Sequence, residues 1–344
     1  MGLGARVPVE WILLRTYLED RSDQWRRGSR CLWLISASVR PGERTALAYA
    51  RWAREQSLLE GVLEVRTINL AVDGGVLAGL EKDLVRGGPP VAISLPGTIE
   101  VQIQHVLRLI GVEPAFIACS PFAGEGVSVE TLQRLITRKG RKSELLLKLD
   151  AGAYEELAGS VSQQRFDAVL GSTLWNQADR QGGLQRAAVL YGACLRSCGY
   201  SYVYEIPVGV TSSGPPPVRW LFATRSPAGV TLMSELLCRS ERKQSGAGEA
   251  DTGELGKAIE RFGASVGHAS TTQIIHAMSV SPELFGRFCK SEYRSAIGAL
   301  VRAGAIVAPC EKAIKDSEWL SFRPRPHSPR PHSPRQESGP ARSR

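Results

Sequence analysis

Short apolar runs alternate along this chain with longer stretches of helical periodicity. Residues 9–18 open as an amphipathic helix, with Trp11, Leu14 and Leu18 recurring at spacings of three and four. Residues 31–35 (CLWLI) form a continuous apolar run bounded by Ser36-Ala37-Ser38 and then Pro41-Gly42, the pattern of a buried strand. A helix follows at about 43–59. The alternation then repeats: strand 63–72 and helix 75–85, strand 91–95 and helix 98–110, strand 115–119 and helix 128–137, strand 144–149. Residues 168–170 read as part of a short connector before a helix at 185–198. Two last runs, 202–210 and 218–224, are joined by a Gly/Pro-rich turn and predict a strand pair. Such alternation predicts an α/β fold, a mostly parallel Rossmann-like sheet with helices on both faces. The closing pair should make an antiparallel edge.

The pattern changes after residue 240. Residues 241–253 are polar and Gly-rich and read as a linker between a domain at 1–240 and a second at 254–310. The second shows helices at 254–262, 271–277 and 290–303, a stop at Gly304, and a short strand at 305–308 (AIVA). Three short helices and a strand suggest a winged-helix-like domain.

Composition alters this picture in one place. The 344 residues carry 43 Lys+Arg against 34 Asp+Glu, a net charge of +9. Residues 321–344 hold six Arg, one Glu and a tandem RPHSP repeat, so they contribute +5 and leave +4 for the body. With Phe322 as its only large apolar residue, this segment reads as a disordered basic tail. A polyanion tether acting through counterion release is the functional alternative. The remaining composition is that of a globular protein.

Seven cysteines in an odd, scattered set suggest reduced thiols in a cytosolic protein rather than a disulfide framework. Neither a signal-peptide pattern nor an apolar run of membrane-spanning length occurs, so no membrane role is expected. His268 and His276 lack acidic or Cys neighbours at ligand spacing, and Cys194 and Cys198 lack a second pair, so no metal site is expected.

In an open parallel sheet, ligands gather at the carboxyl ends of the strands. The first such loop, Ser36-Ala37-Ser38-Val39-Arg40-Pro41-Gly42, has one terminal Gly, a bulky Arg40 and no acid. After the second strand, Asp73 is the available acid, and it sits late. The loop after residue 119 reads Ser120-Pro121-Phe122-Ala123-Gly124-Glu125-Gly126. Phe122 there could stack on a flat ring or pack locally, Ser120 could hydrogen-bond a ligand, and Glu125 is the only carboxylate.

Three segments carry a resemblance: PAFIACSPFAGEGVSVETLQRLI (114–136), GSTLW (171–175) and WLFATRSPAGVTLM (220–233). With their order and spacing, the chain resembles the three-Cys-motif partner family (TcmP) over about residues 10–308. The resemblance implies a class I methyltransferase-like domain, S-adenosylmethionine as cofactor where the pocket works, a C-terminal winged-helix-like region, and a protein partner encoded nearby. The departures from the family pattern fall on the cofactor loops. Where the family shows DGFAGPG, its Asp falls on Ser36 and a Gly on Arg40, and only Pro41-Gly42 survives. Where it shows DPFG, the Asp falls on Ser120, before Pro121 and Phe122. These losses imply a degenerate site and a non-catalytic partner or scaffold. An active methyltransferase with a remodelled pocket is the alternative, its wall comprising Ser36, Ala37, Arg40, Gly42, Asp73, Ser120, Pro121, Phe122 and Glu125. A third reading is a nucleic-acid-binding regulator in which Arg287, Lys290 and Arg294 meet phosphates and the basic tail assists.

Overall fold

A computed structural model describes residues 9–26, 29–37, 45–57, 64–71, 74–75, 78, 92–138, 143–171, 183–208, 218–245, 252–309 and 316–323. The chain divides into two units. One comprises 1–247 and 279–289, the other 248–278 and 290–344.

The large unit is built on seven strands: β1 (Cys31–Ser36), β2 (Glu64–Ala71), β3 (Ala92–Pro96), β4 (Ala115–Cys119), β5 (Ser143–Asp150), β6 (Tyr202–Val208) and β7 (Val218–Thr224). They lie in the order β3-β2-β1-β4-β5-β7-β6. β1 pairs in parallel with both β2 and β4, β2 with β3, and β4 with β5. β7 runs antiparallel to both β5 and β6. The expected antiparallel edge is therefore one inserted strand, and β6 outside it runs with the parallel set. Strand order reverses direction at β1, between β2 and β4, so the switch point lies at the carboxyl ends of β1 and β4. The large unit is an α/β Rossmann-like domain.

Alternation along each strand divides the core in two. One face buries Trp33, Ile35, Ile117, Leu145 and Leu147. It is covered by α3 (Ile99–Ile110), α4 (Val129–Ile136), α5 (Ala151–Ser160), α6 (Gln163–Leu170) and α7 (Gly183–Ser197). The other buries Leu32, Leu34, Val65, Phe116, Leu146 and Phe222 beneath α1 (Val9–Arg26), α2 (Thr45–Ser57) and α8 (Pro227–Ser245). Side-chain caps start several helices. Thr98 accepts from the Val101 N–H at α3, Ser128 from Thr131 at α4, Asp150 from Ala153 at α5 and Ser162 from Arg165 at α6. Residues 168–170, expected in a connector, are the last turn of α6, which Gly171 ends at φ +67°. The helix expected at 75–85 lies almost wholly outside the described residues.

Cysteine pairing corrects one expectation. Cys238 on α8 and Cys289 form a disulfide, Cα atoms 5.8 Å apart across 51 residues of sequence. Cys31, Cys119, Cys194 and Cys198 are free. The bond pins residues 279–289 to the large unit. Tyr204 of β6 also stacks on Phe285 at 3.9 Å and donates its hydroxyl to the Val280 carbonyl at 2.5 Å. Sequence spacing carried no sign of this pairing, because the fold brings the two cysteines together. Among the described residues no helix is long and apolar enough to cross a membrane.

The small unit contains α9 (Gly253–Val266), β8 (His268–Ser270), α10 (Thr271–Ser279), α11 (Lys290–Arg302), β9 (Ile306–Val307) and β10 (Trp319–Phe322). β10 is the central strand, antiparallel to β8 and β9. Residues 321–322, the start of the segment read as a tail, thus complete this sheet. A Cβ on Gly263 of α9 would fall 1.9 Å from the Phe322 ring, so the helix accepts the ring only because residue 263 has no side chain.

Candidate functional site

The switch point is held by the Ala37 N–H donating to the Ala118 carbonyl at 3.0 Å, with Ser36 of β1 beside Asn69 of β2 and Ala118 of β4. Ser36 and Asn69 are buried, and both belong to the sheet face that carries Leu34 and Val65. The Ser36 Oγ has no hydrogen-bond partner. Asn69 donates weakly from Nδ2 to the Thr67 Oγ1 at 3.4 Å, and its Oδ1 has no partner. Two neighbouring strands therefore end in neutral polar groups with unused hydrogen-bonding capacity. Arg40, Gly42 and Asp73, three of the expected wall residues, lie outside the described residues. Asn69 is not among the expected residues, because it is neutral and lies within β2, whereas a ribose-binding sheet calls for an acid after the strand. Its register with Ser36 is the signal that finds it.

The loop after β4 is closed by its own backbone. Ala123 N–H reaches the Ser120 carbonyl at 3.0 Å, Gly126 the Ala123 carbonyl at 3.0 Å, and Val127 the Pro121 carbonyl at 2.8 Å. Gly126 sits at φ +79°, and a Cβ there would lie 2.6 Å from Val169 Cγ2, so only glycine fits. Ser120 is half-buried, Pro121 is buried and Glu125 is exposed. Phe122, offered as a stacking ring, is 1% exposed. It meets Tyr154 and Tyr191 edge-on at 5.2 and 5.9 Å. That burial corrects the stacking role: the ring fills the core, as a phenyl does when apolar neighbours are within reach.

Arg165 of α6 clamps this loop. Its Nε donates to the Glu125 carbonyl at 2.8 Å and one terminal nitrogen to the Gly126 carbonyl at 2.6 Å. The other terminal nitrogen meets Glu100 in the first turn of α3 at 2.7 Å. Glu100 also accepts the Ser128 N–H at 2.6 Å. Burial would raise the Glu100 pKa, but the hydrogen bonds from Ser128 and Arg165 outweigh it and hold the carboxyl below its usual range. The Glu100 carboxylate beside the loop is thus already engaged by the protein, while Glu125 within the loop is exposed. Neither Arg165 nor Glu100 was singled out from sequence, since an exposed-looking Arg and Glu 65 residues apart give no local sign of pairing.

Two of the free thiols, Cys31 and Cys194, are poor nucleophiles. Burial pushes Cys31 up to about 12. Burial, and then the neighbouring Cys198, push Cys194 up to about 11.

The three expected phosphate contacts divide between the two units. Lys290 and Arg294 both pair with Asp316, at 2.7 and 2.6 Å. Hydrogen bonds from Lys290 and then Arg294 hold the Asp316 carboxyl below its usual range. Arg287 belongs to the large unit, where it donates to the Glu283 carbonyl at 3.1 Å and lies over the Phe288 ring.

No protein-family model matches the chain, and no curated protein matches it. Solved structures do resemble it. Human methyltransferase-like protein 13 in complex with SAH aligns at 11% identity over 73% of this chain and 98% of that one, with a TM-score of 0.37. Precorrin-6y C5,15-methyltransferase from Geobacter metallireducens GS-15 aligns at 13% identity over 66% and 94%, at 0.32. The citrinin polyketide synthase CMeT domain aligns at 14% identity over 58% of this chain, at 0.33, and the match spans 47% of that chain. At these scores the likeness carries no argument by itself. The class rests on the strand order and the switch point, which define an α/β Rossmann-like protein.

Proposed function

We propose that this chain is a methyltransferase-like Rossmann protein that does not catalyse methyl transfer, a scaffold of the three-Cys-motif partner kind acting through a protein partner. One observation carries the reading. Among the described residues at the carboxyl ends of β1 and β2, the buried side chains with unused hydrogen-bonding capacity are the neutral Ser36 and Asn69. S-adenosylmethionine is cationic, with an ammonium and ribose hydroxyls that call for carboxylate acceptors. Leaving such donors without strong acceptors in a desolvated site costs about 1–3 kcal/mol each. Glu100 cannot serve without breaking its bonds to Arg165 and Ser128. Among the described residues the donor set does not fit the cofactor, and no reaction step is drawn through it.

The order helix, strand, helix, helix, strand, strand in the small unit supports reading it as winged-helix-like. Such a module suits a scaffold, since it adds a second binding surface without adding chemistry. Titration calorimetry with S-adenosylmethionine and S-adenosylhomocysteine tests the proposal. No heat of binding is expected through the micromolar range. Micromolar binding that is lost in Asn69→Leu would overturn it in favour of an active enzyme with a remodelled pocket, the reading to which the unpartnered Ser36 Oγ and Asn69 Oδ1 lend support.

A further inference from the structure

Two of the free cysteines among the described residues stand together. Cys194 and Cys198 are four residues apart at the end of α7, where the Cys198 N–H donates to the Cys194 carbonyl at 3.0 Å. That bond is the helical one, so the two side chains leave the same face one turn apart. Their thiols are hydrogen-bonded to each other. Both are half-buried against the core of the large unit, whereas Cys31 and Cys119 are buried. Gln133 of α4 donates from Nε2 to the Cys194 Sγ at 3.6 Å, so a second helix addresses the same sulfur. The helix end that carries the pair is held in place. The Gly199 N–H reaches the Arg196 carbonyl at 2.9 Å and the Tyr200 N–H the Leu195 carbonyl at 3.2 Å, with Gly199 at φ +85°. A left-handed glycine closes a helix in this way. Arg225 then donates to the Cys198 carbonyl at 2.9 Å and to the Gly199 carbonyl at 3.0 Å, which brings a positive charge to the same end.

We propose that Cys194 and Cys198 form a two-coordinate site for a soft monovalent cation, copper(I). Donor chemistry makes the selection. Thiolate sulfur favours copper(I), zinc and iron–sulfur clusters among the biological metals. Structural zinc takes four protein ligands and catalytic zinc three, and iron–sulfur clusters take four cysteines. Among the described residues no His, Cys, Asp or Glu joins these two sulfurs as a third donor. Copper(I), with its filled d shell, is satisfied by two thiolates. Binding forms two copper–sulfur bonds and releases both thiol protons to water, and the copper keeps its oxidation state. The complex carries one negative charge. Arg225 offsets that charge, and the Gln133 amide already donates to one of the two sulfurs. Burial keeps the Cys194 thiol protonated up to about 11, so only a strongly thiophilic cation displaces its proton at neutral pH.

The full chain, with its Cys238–Cys289 disulfide intact, should be titrated anaerobically with copper(I), supplied as its acetonitrile complex, in the presence of the chromogenic chelator ferrozine. The protein is expected to hold a single equivalent of copper against the chelator and to gain a sulfur-to-copper absorption in the ultraviolet. Cys194→Ser and Cys198→Ser should each surrender the metal to ferrozine. Gln133→Leu should weaken retention about tenfold, the effect of losing a hydrogen bond to a metal ligand. Ser197→Ala changes the residue between the two cysteines without touching either sulfur, and should retain copper in full. Because Cys198 is half-buried at the helix end, far-ultraviolet dichroism of Cys198→Ser should match the parent. Failure of the parent chain to hold copper against ferrozine, copper retained in both serine variants, or zinc(II) taken up in equal amount under the same conditions would each overturn the proposal.

Discussion

Two polar places lie on the same face of the large sheet, and they have opposite characters. At the amino end of β5, Glu144 is 3% exposed yet fully engaged. It accepts from the Tyr17 hydroxyl at 2.5 Å, from Arg21 at 2.6 Å and from the Thr224 hydroxyl at 2.8 Å. At the carboxyl ends of β1 and β2, Ser36 and Asn69 are buried with oxygens that nothing engages. The first place joins α1 to β5 and β7, and α8 packs so closely that a Cβ on Gly229 would lie 3.0 Å from Glu144 Oε1. It contains a formal charge pair and behaves as structure. The second contains no described charge and stands where this architecture places ligands. The two ends thus differ in charge, while unused hydrogen-bonding capacity occurs at both, since the Arg21 Nε also lacks a partner.

The largest expected effect belongs to the engaged end. Glu144→Ala leaves the Arg21 guanidinium buried without its counter-ion and should cost about 3–5 kcal/mol. Urea unfolding of the variant measures it. The desolvated pair raises the Arg21 pKa despite burial, and burial together with the Glu144 charge holds the Tyr17 hydroxyl protonated well above its ordinary range. A loss below about 1 kcal/mol would mean that water reaches the cluster, and the contrast between the two ends would fall.

The clamp on the loop after β4 should come next. Arg165→Ala removes the ion pair with Glu100 and two bonds to backbone carbonyls, with the side chains 26% and 22% exposed. A loss of about 1–2 kcal/mol is expected. Its pH dependence carries a sign. The Glu100 pKa is lowered in the folded protein, so its contribution is present above the ordinary carboxylate value and disappears as pH falls through the folded value. The stability gap between parent and variant should thus narrow on acidification below about pH 4. A gap that widens there would assign the effect to some other group.

What the sequence made legible follows from how local each feature is. All seven strands of the large unit were readable, most of them as short runs rich in apolar residues and closed by turn residues. Helices α5 and α6 escaped because α5 starts on Asp150, the last residue of β5, and carries Gly152 and Gly159, which disguise its periodicity. β8 and β10 are only three and four residues long, and only pairing across about 50 residues makes them strands. At the site, sequence could report which acids are missing from the loops. It could not report that Glu144 meets partners 123 and 127 residues away, nor that Arg165 consumes Glu100. It also could not show that Phe122 turns inward, because the ring's destination depends on Tyr154 and Tyr191 from two later helices.

The smallest effect should come from the unengaged end, and it is the more telling for being small. Removing a buried hydroxyl normally costs stability because a partner is stranded. The Ser36 Oγ has no partner to strand, so Ser36→Ala removes only a desolvated polar group. Stability should be unchanged or higher by up to about 1 kcal/mol in chemical unfolding. The Ala37 N–H bond to the Ala118 carbonyl is backbone and survives the substitution, so the strand end keeps its geometry. A loss above about 1 kcal/mol would show that the hydroxyl is bonded in solution, and the two ends would then be alike in kind. Repeating the comparison with Asn69→Leu separates the strands. If Ser36→Ala is neutral while Asn69→Leu destabilises, the unused capacity resides in β1 alone, and the amide of Asn69 is held by its bond to Thr67.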